Sequence, residues 1–189
     1  MVYERGRPPM PSQPWFAHDP LVERPLVIEE FPLISNQARQ QRASYLDARK
    51  SKAWAVAPGG TSTAQFGQTS EDEAVRRSLE NCGLNAGVPC LIVAIDDMFV
   101  VPVPKTMKVT GFFSTRRDDI APEMRDAVAQ RLAATRGWSA VALGTSGHPG
   151  VATKAANEQD AVSEALADCA KRDRNCHVVA IGPFAVVPR

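Results

Sequence analysis

No stretch of this 189-residue chain approaches the roughly 20 consecutive apolar residues that cross a bilayer, so no transmembrane helix is expected. An excess of either charge is also missing. Lysine and arginine number 22 against 21 aspartates and glutamates, and a net charge of +1 gives no electrostatic reason to expect nucleic acid or an anionic membrane as partner. Histidine is scarce: His18, His148 and His177 are the only three, and their spacing suggests neither a triad nor a metal cluster. There is no C-x-x-C, which excludes a thioredoxin-like redox site, and no closely spaced cysteine pair of the kind a structural zinc site uses. The pattern G-x-x-x-x-G-K-[ST] is absent too, so Gly144 to Gly150 is read as a hairpin turn, not a phosphate loop. No cofactor and no metal is expected. Met1-Val2-Tyr3-Glu4-Arg5 lacks the apolar segment of a signal peptide, and the expectation is that any secretory signal has been removed.

What is present is a unit that occurs twice. Ser70 to Cys82, a connection to Cys90, and Leu91 to Ile95 form the first copy; Asn157 to Cys169, a connection to Cys176, and His177 to Ile181 form the second. Cys82 and Cys169 lie 87 positions apart, Ile95 and Ile181 86, and all four cysteines of the chain belong to this unit. Ser70 and Glu73 make a capping box, and Val75, Leu79 and Cys82 an apolar stripe ended by Gly83. Asn157 caps the second helix, with Val162, Leu166 and Cys169 as its stripe. In each copy one cysteine ends a helix and the next opens a strand, which brings Cα atoms within bridging range. Disulfides Cys82–Cys90 and Cys169–Cys176 are expected, and with them an oxidising compartment, periplasmic or extracellular. Four buried thiols in a reducing cytosol would not need the same pairing twice.

Around this unit the chain reads as an α+β protein of two similar repeats, each a lead helix, a β-hairpin, a capped helix and a second hairpin, with antiparallel sheet and one local disulfide. The first repeat is placed at residues 31–104, a linker at 105–111 and the second repeat at 112–189. The first lead helix is expected over Asn36 to Lys50, with Ile34, Ala38, Tyr45 and Leu46 inward. The second carries Ile120, Met124, Val128 and Leu132, with Pro122 in its first turn. Ala53 to Ala57 and Ala64 to Gly67 form the first hairpin, answered by Trp138 to Ala142 and the strand after Gly150; Leu91 to Ile95 and Met98 to Val103 form the next, turning at Asp96-Asp97. Residues 1–30, with six prolines, read as an extended arm without its own core, on which Trp15, Phe16 and Leu21 are the candidate partner contacts.

The arrangement Ala53 to Gly60, Glu73-Ala74 through Leu79-Glu80-Asn81-Cys82, then Pro89-Cys90 and Ile92 to Ile95, resembles bacterial secreted Cys-pair modules of unknown function, present here as a tandem duplication over about residues 31 to 188. The second copy departs from that pattern at Asn175-Cys176, where no proline precedes the cysteine. The resemblance implies export and a disulfide, and brings no catalytic residues with it. The functional expectation is a non-enzymatic periplasmic or envelope module that binds protein. The alternative is a small-ligand binder or hydrolase whose site, in a groove between the repeats, would use Asp96, Asp97 and His177. Asp96-Asp97 also reads as a turn, Asp118-Asp119 as a helix start, and Lys171-Arg172-Asp173-Arg174 as a solvated loop of mixed charge.

Overall fold

The computed structural model describes residues 19–189. Trp15 and Phe16 lie outside the described residues. The chain forms two compact units, one of residues 23–101 and one of residues 19–22 with 102–189.

In the first unit a five-stranded antiparallel sheet has the order β1-β5-β4-β2-β3, with β1 Arg24–Pro25, β2 Ala53–Val56, β3 Ser62–Gln65, β4 Leu91–Ile95 and β5 Met98–Phe99. Its helices are α1, Asn36–Gln41, and α2, Glu71–Ala86. In the second unit the order is β6-β10-β9-β7-β8, with β6 Met107–Phe112, β7 Trp138–Leu143, β8 Gly150–Ala155, β9 His177–Ile181 and β10 Phe184–Pro188, and helices α3, Arg125–Ala133, and α4, Glu158–Ala170. Helix α2 packs on β2, β3 and β4, and α4 on β7, β8 and β9. No helix among the described residues is long and apolar enough to cross a membrane.

The caps form where the side chains allow them. Ser70 Oγ accepts from the Glu73 amide and Asn157 Oδ1 from the Asp160 amide. The Glu73 carboxylate is engaged by Arg76 and Arg77 instead of completing a capping box. Helix α2 runs through Gly83 and ends at Gly87, whose left-handed backbone (φ 68°) lets its amide return to the Gly83 carbonyl. Leu79, Cys82 and Cys169 are buried as expected, and the rest of the inward stripe differs. Ala74, Ser78 and Cys82 are buried on α2 and Ala161, Ala165 and Cys169 on α4, whereas Val75, Val162 and Leu166 are only partly covered. In the second unit small residues face the sheet because helix and strands approach closely: a Cβ on Gly150 of β8 would run into the Cys169 amide nitrogen and the Ala165 carbonyl oxygen of α4.

Both disulfides form, Cys82–Cys90 and Cys169–Cys176, each with Cα atoms 6.1 Å apart, and no cysteine is free. They fit an oxidising, extracytoplasmic setting.

Three expected boundaries shift. The body starts before residue 31: β1 pairs with β5, Leu26 N donates to Asp97 O, and Val22, Leu26 and Ile28 are buried. Pro25 is tolerated there because β1 is an edge strand. The segment 105–111 read as a linker holds all of β6 but its last residue, Phe112; the alternation of Met107 and Val109 with Lys108 and Thr110 has the period of a strand, and the strand pairs with β10. The first lead helix stops at Gln41 and continues as a 3-10 turn, Ala43–Tyr45. The carbonyls released there are taken up by Lys52.

Candidate functional site

Lys52 precedes β2 and is wholly buried. Its ammonium donates to the carbonyls of Tyr45 at 2.8 Å, Leu46 at 2.9 Å and Ala48 at 3.0 Å, and pairs with Asp97 Oδ1 at 2.8 Å. Asp96 Oδ1 accepts the Lys52 amide, and the Asp96 amide donates to the Lys52 carbonyl. Buried charge is tolerated when paired and hydrogen-bonded, so the Asp96-Asp97 turn and the 43–48 segment are clamped by one side chain. Nothing in the sequence singles out Lys52; a lysine flanked by Ser51 and a strand reads as a surface residue.

Above this clamp lies an aromatic cluster. Phe31 stacks on Trp54 with centroids 3.9 Å apart, Tyr45 lies 5.2 Å from Trp54 and 5.7 Å from Phe66, and the Arg24 guanidinium sits over Phe99. Burial, with lesser contributions from Asp96 and Asp97, pushes the Tyr45 phenol far above its ordinary pKa, so it stays neutral. It therefore offers no general base.

Beside the cluster, the segment Leu26 to Glu29 and the face of α1 and its 3-10 extension enclose a groove of about 590 Å³. Leu26, Val27, Ile28, Ala43 and Leu46 make its apolar lining, and Glu29, Asn36, Arg39 and Gln40 its polar part. Val27 is 38% and Leu46 42% exposed, so two branched side chains face solvent on either wall. Arg39 is held in place: Nη1 donates to Asn36 Oδ1 at 2.6 Å and Nη2 to the Phe31 carbonyl at 2.9 Å. The groove combines an apolar lining with two polar groups, Asn36 and Arg39, held by hydrogen bonds, a composition that binding surfaces share.

The sequence candidates are distributed as follows. Asp96 and Asp97 belong to the first unit and hold Lys52. His177 opens β9 of the second unit, exposed, near enough to Asp119 to help lower that carboxyl, whose main cause of depression is the hydrogen-bonded Arg117. Leu21 is 65% exposed beside Gly137. The loop read as solvated carries a structural residue: Asp173 accepts the amides of Ser146, His148 and Arg174 and so organises the Gly144–Gly150 turn. Burial pushes its carboxyl upward, but these hydrogen bonds outweigh it and hold the group well below the usual range. No group of three or more metal-ligating side chains converges among the described residues.

Compared with known proteins, the chain matches no family model, no curated protein and no solved structure.

Proposed function

We propose that the protein is a bacterial, periplasmic or secreted, two-repeat module that binds another protein through the groove between Leu26–Glu29 and α1, without catalysing a reaction. The observation that carries this reading is that groove: apolar and partly exposed walls with polar groups already fixed, in a unit whose buried ionic groups are consumed in holding the chain. Asp96 and Asp97 are engaged by Lys52, which favours protein contact over a hydrolytic site that would need them free.

The repeat reading is supported by register. Ala53 pairs with Ile95 and Ala140 with Ile181; Ala55 pairs with Ile92 and Ala142 with Val178, with a bulge at the same step in each ladder. Trp54 opposes Ala64 as Val141 opposes Val151, and Arg24 opposes Phe99 as Gly111 opposes Ala185. On this alignment Ala53–Val56 answers Ala140 to Leu143, not Trp138 to Ala142, and each repeat opens on an edge strand, β1 or β6. The groove-forming α1 segment and the aromatic cluster are then features of the first repeat. The resemblance to secreted Cys-pair modules and the disulfides both support export.

The test is site-specific photocrosslinking in the native host, with a benzophenone side chain at Leu46 and, for comparison, at Lys154 of the second unit. A discrete adduct from position 46 that is missing from 154 supports the groove; equal adducts from both, or none from 46, sink it.

A further inference from the structure

Near the end of α4, one carboxylate gathers three cations. Arg131 Nη1 and Arg172 Nη2 both face Asp168 Oδ2, at 3.4 and 3.0 Å, and Lys171 Nζ lies 3.7 Å from Oδ1. Asp168 also accepts the Val151 amide at 3.1 Å. The two guanidiniums are fixed a second time by main chain: Arg131 Nη2 donates to the Val151 carbonyl at 2.6 Å and Arg172 Nη2 to the Pro149 carbonyl at 3.2 Å. Cations in the last turn of a helix ordinarily complement its dipole. That accounts for Lys171 and Arg172 but not for Arg131, which comes from α3.

Three positive charges on one negative leave an excess of two. The side chains of Arg131, Lys171 and Arg172 are 46%, 72% and 42% exposed, so their remaining donors face water. On the repeat alignment the positions of Asp168, Lys171 and Arg172 are held in the first unit by Asn81, Leu84 and Asn85, so folding of the shared scaffold does not require the cluster.

We propose that Arg131, Lys171 and Arg172 form a binding site for a doubly charged tetrahedral oxyanion, a phosphate or phosphomonoester, with Asp168 as the positioning residue. Two planar guanidinium forks held by backbone carbonyls, with an exposed ammonium beside them, suit an anion presenting several oxygens at once. The excess of two positive charges matches a dianion better than a single carboxylate. Because the site is exposed, its affinity falls with ionic strength.

The experiment is a titration of ¹⁵N-labelled protein with inorganic phosphate at low ionic strength, following the arginine Nε–H signals and the Val151 and Arg172 amides. Saturable shifts are expected, with affinity at least tenfold weaker in R131Q and R172Q and severalfold weaker in K171Q. The last variant guards against misfolding, since the Lys171 ammonium makes one ion pair among the described residues, to Asp168, and the side chain is mostly solvated. A second arm uses phosphatidylcholine vesicles with and without phosphatidic acid. Binding that requires phosphatidic acid and is lost in K171Q assigns the phosphomonoester of a lipid headgroup; saturable binding of free phosphate without vesicle binding assigns a soluble ligand. Non-saturable shifts with no vesicle binding, or unchanged affinity in K171Q and R131Q proteins that melt like wild type, overturn the proposal.

Discussion

Replacing Lys52 with Met keeps the length and most of the volume of the buried stem while removing the ammonium. Three carbonyls then lose their donor and Asp97 loses its counter-ion. Asp97 is 45% exposed and can be rehydrated, and the carbonyls of Leu46 and Ala48 sit on partly exposed residues. Tyr45 is fully buried, and its carbonyl falls back on the Ala48 amide, which donates to it at 3.2 Å. Each lost hydrogen bond to a charged donor removes about 1.5–3 kcal/mol before rehydration returns part of it. Three such bonds, less what water and the Ala48 amide return, give an expected destabilisation of the first unit of about 2–4 kcal/mol. Urea titration read by hydrogen exchange of peptides covering residues 43–56 and 138–143 separates the units. The first should unfold at lower urea while the second keeps its midpoint. A loss under about 1 kcal/mol in the first unit would refute the clamp reasoning, because it would mean the carbonyls had found other donors at no cost.

Gly150→Ala places a methyl group against the α4 backbone, where overpacking costs about 1–3 kcal/mol and more when only main chain can yield; thermal melting of the variant should show a marked loss for the second unit, and a melting temperature equal to wild type would contradict the close approach. Hydrogen bonds from Arg76 and Arg77 lower the Glu73 pKa to about 2 from an ordinary 4.5, and Asp119, Asp168 and Asp173 are lowered as well. These groups bind fewer protons folded than unfolded in that range, so their stabilisation is complete above about pH 4.5 and is lost as pH falls through the depressed values; unfolding free energy measured from pH 6 to 2 should decline, and a rise on acidification would be the wrong sign. The disulfides close chain separations of 8 and 7 residues. Loop entropy gives each about 2.5 kcal/mol, so Cys82→Ala with Cys90→Ala should lower the first unit's stability by that amount in denaturant, and no change on removing the pair would count against it.

The strongly patterned parts were legible from sequence. Caps at Ser70 and Asn157, four strands flanking the cysteines, and both disulfides follow from local chemistry: a hydroxyl or amide before a helix, short apolar runs, and two cysteines where the chain turns back. What escaped was set by tertiary contact. Leu79, Cys82 and Cys169 are inward as the pattern predicts, but Val75, Val162 and Leu166 are only partly covered: on α4 the close approach recorded by Gly150 selects Ala161 and Ala165, and on α2 Ala74 and Ser78 are buried, the Ser78 hydroxyl donating to the Ala53 carbonyl. The pattern predicts the lead helix through Lys50 because nothing in residues 43–48 announces that a lysine four or more positions on takes their carbonyls. Arg24–Pro25 and Met107–Gly111 read as arm and linker because an edge strand with proline, or with alternate polar residues, carries little signal until its partner strand is known. The candidate groove was invisible for the same reason, since its walls come from a segment read as arm and a helix read as longer than it is.

The central claim is that the first unit's groove captures a protein. Its most direct measurement is affinity capture of the full chain from its native cells, unreduced, comparing wild type with the V27D/L46D double variant by quantitative mass spectrometry. Both positions are partly exposed, so the variant should retain its fold and both disulfides, which the same spectra report. The account predicts a stoichiometric partner with wild type and at least a tenfold loss with the variant. The same partner recovered in equal amount with both proteins would contradict it.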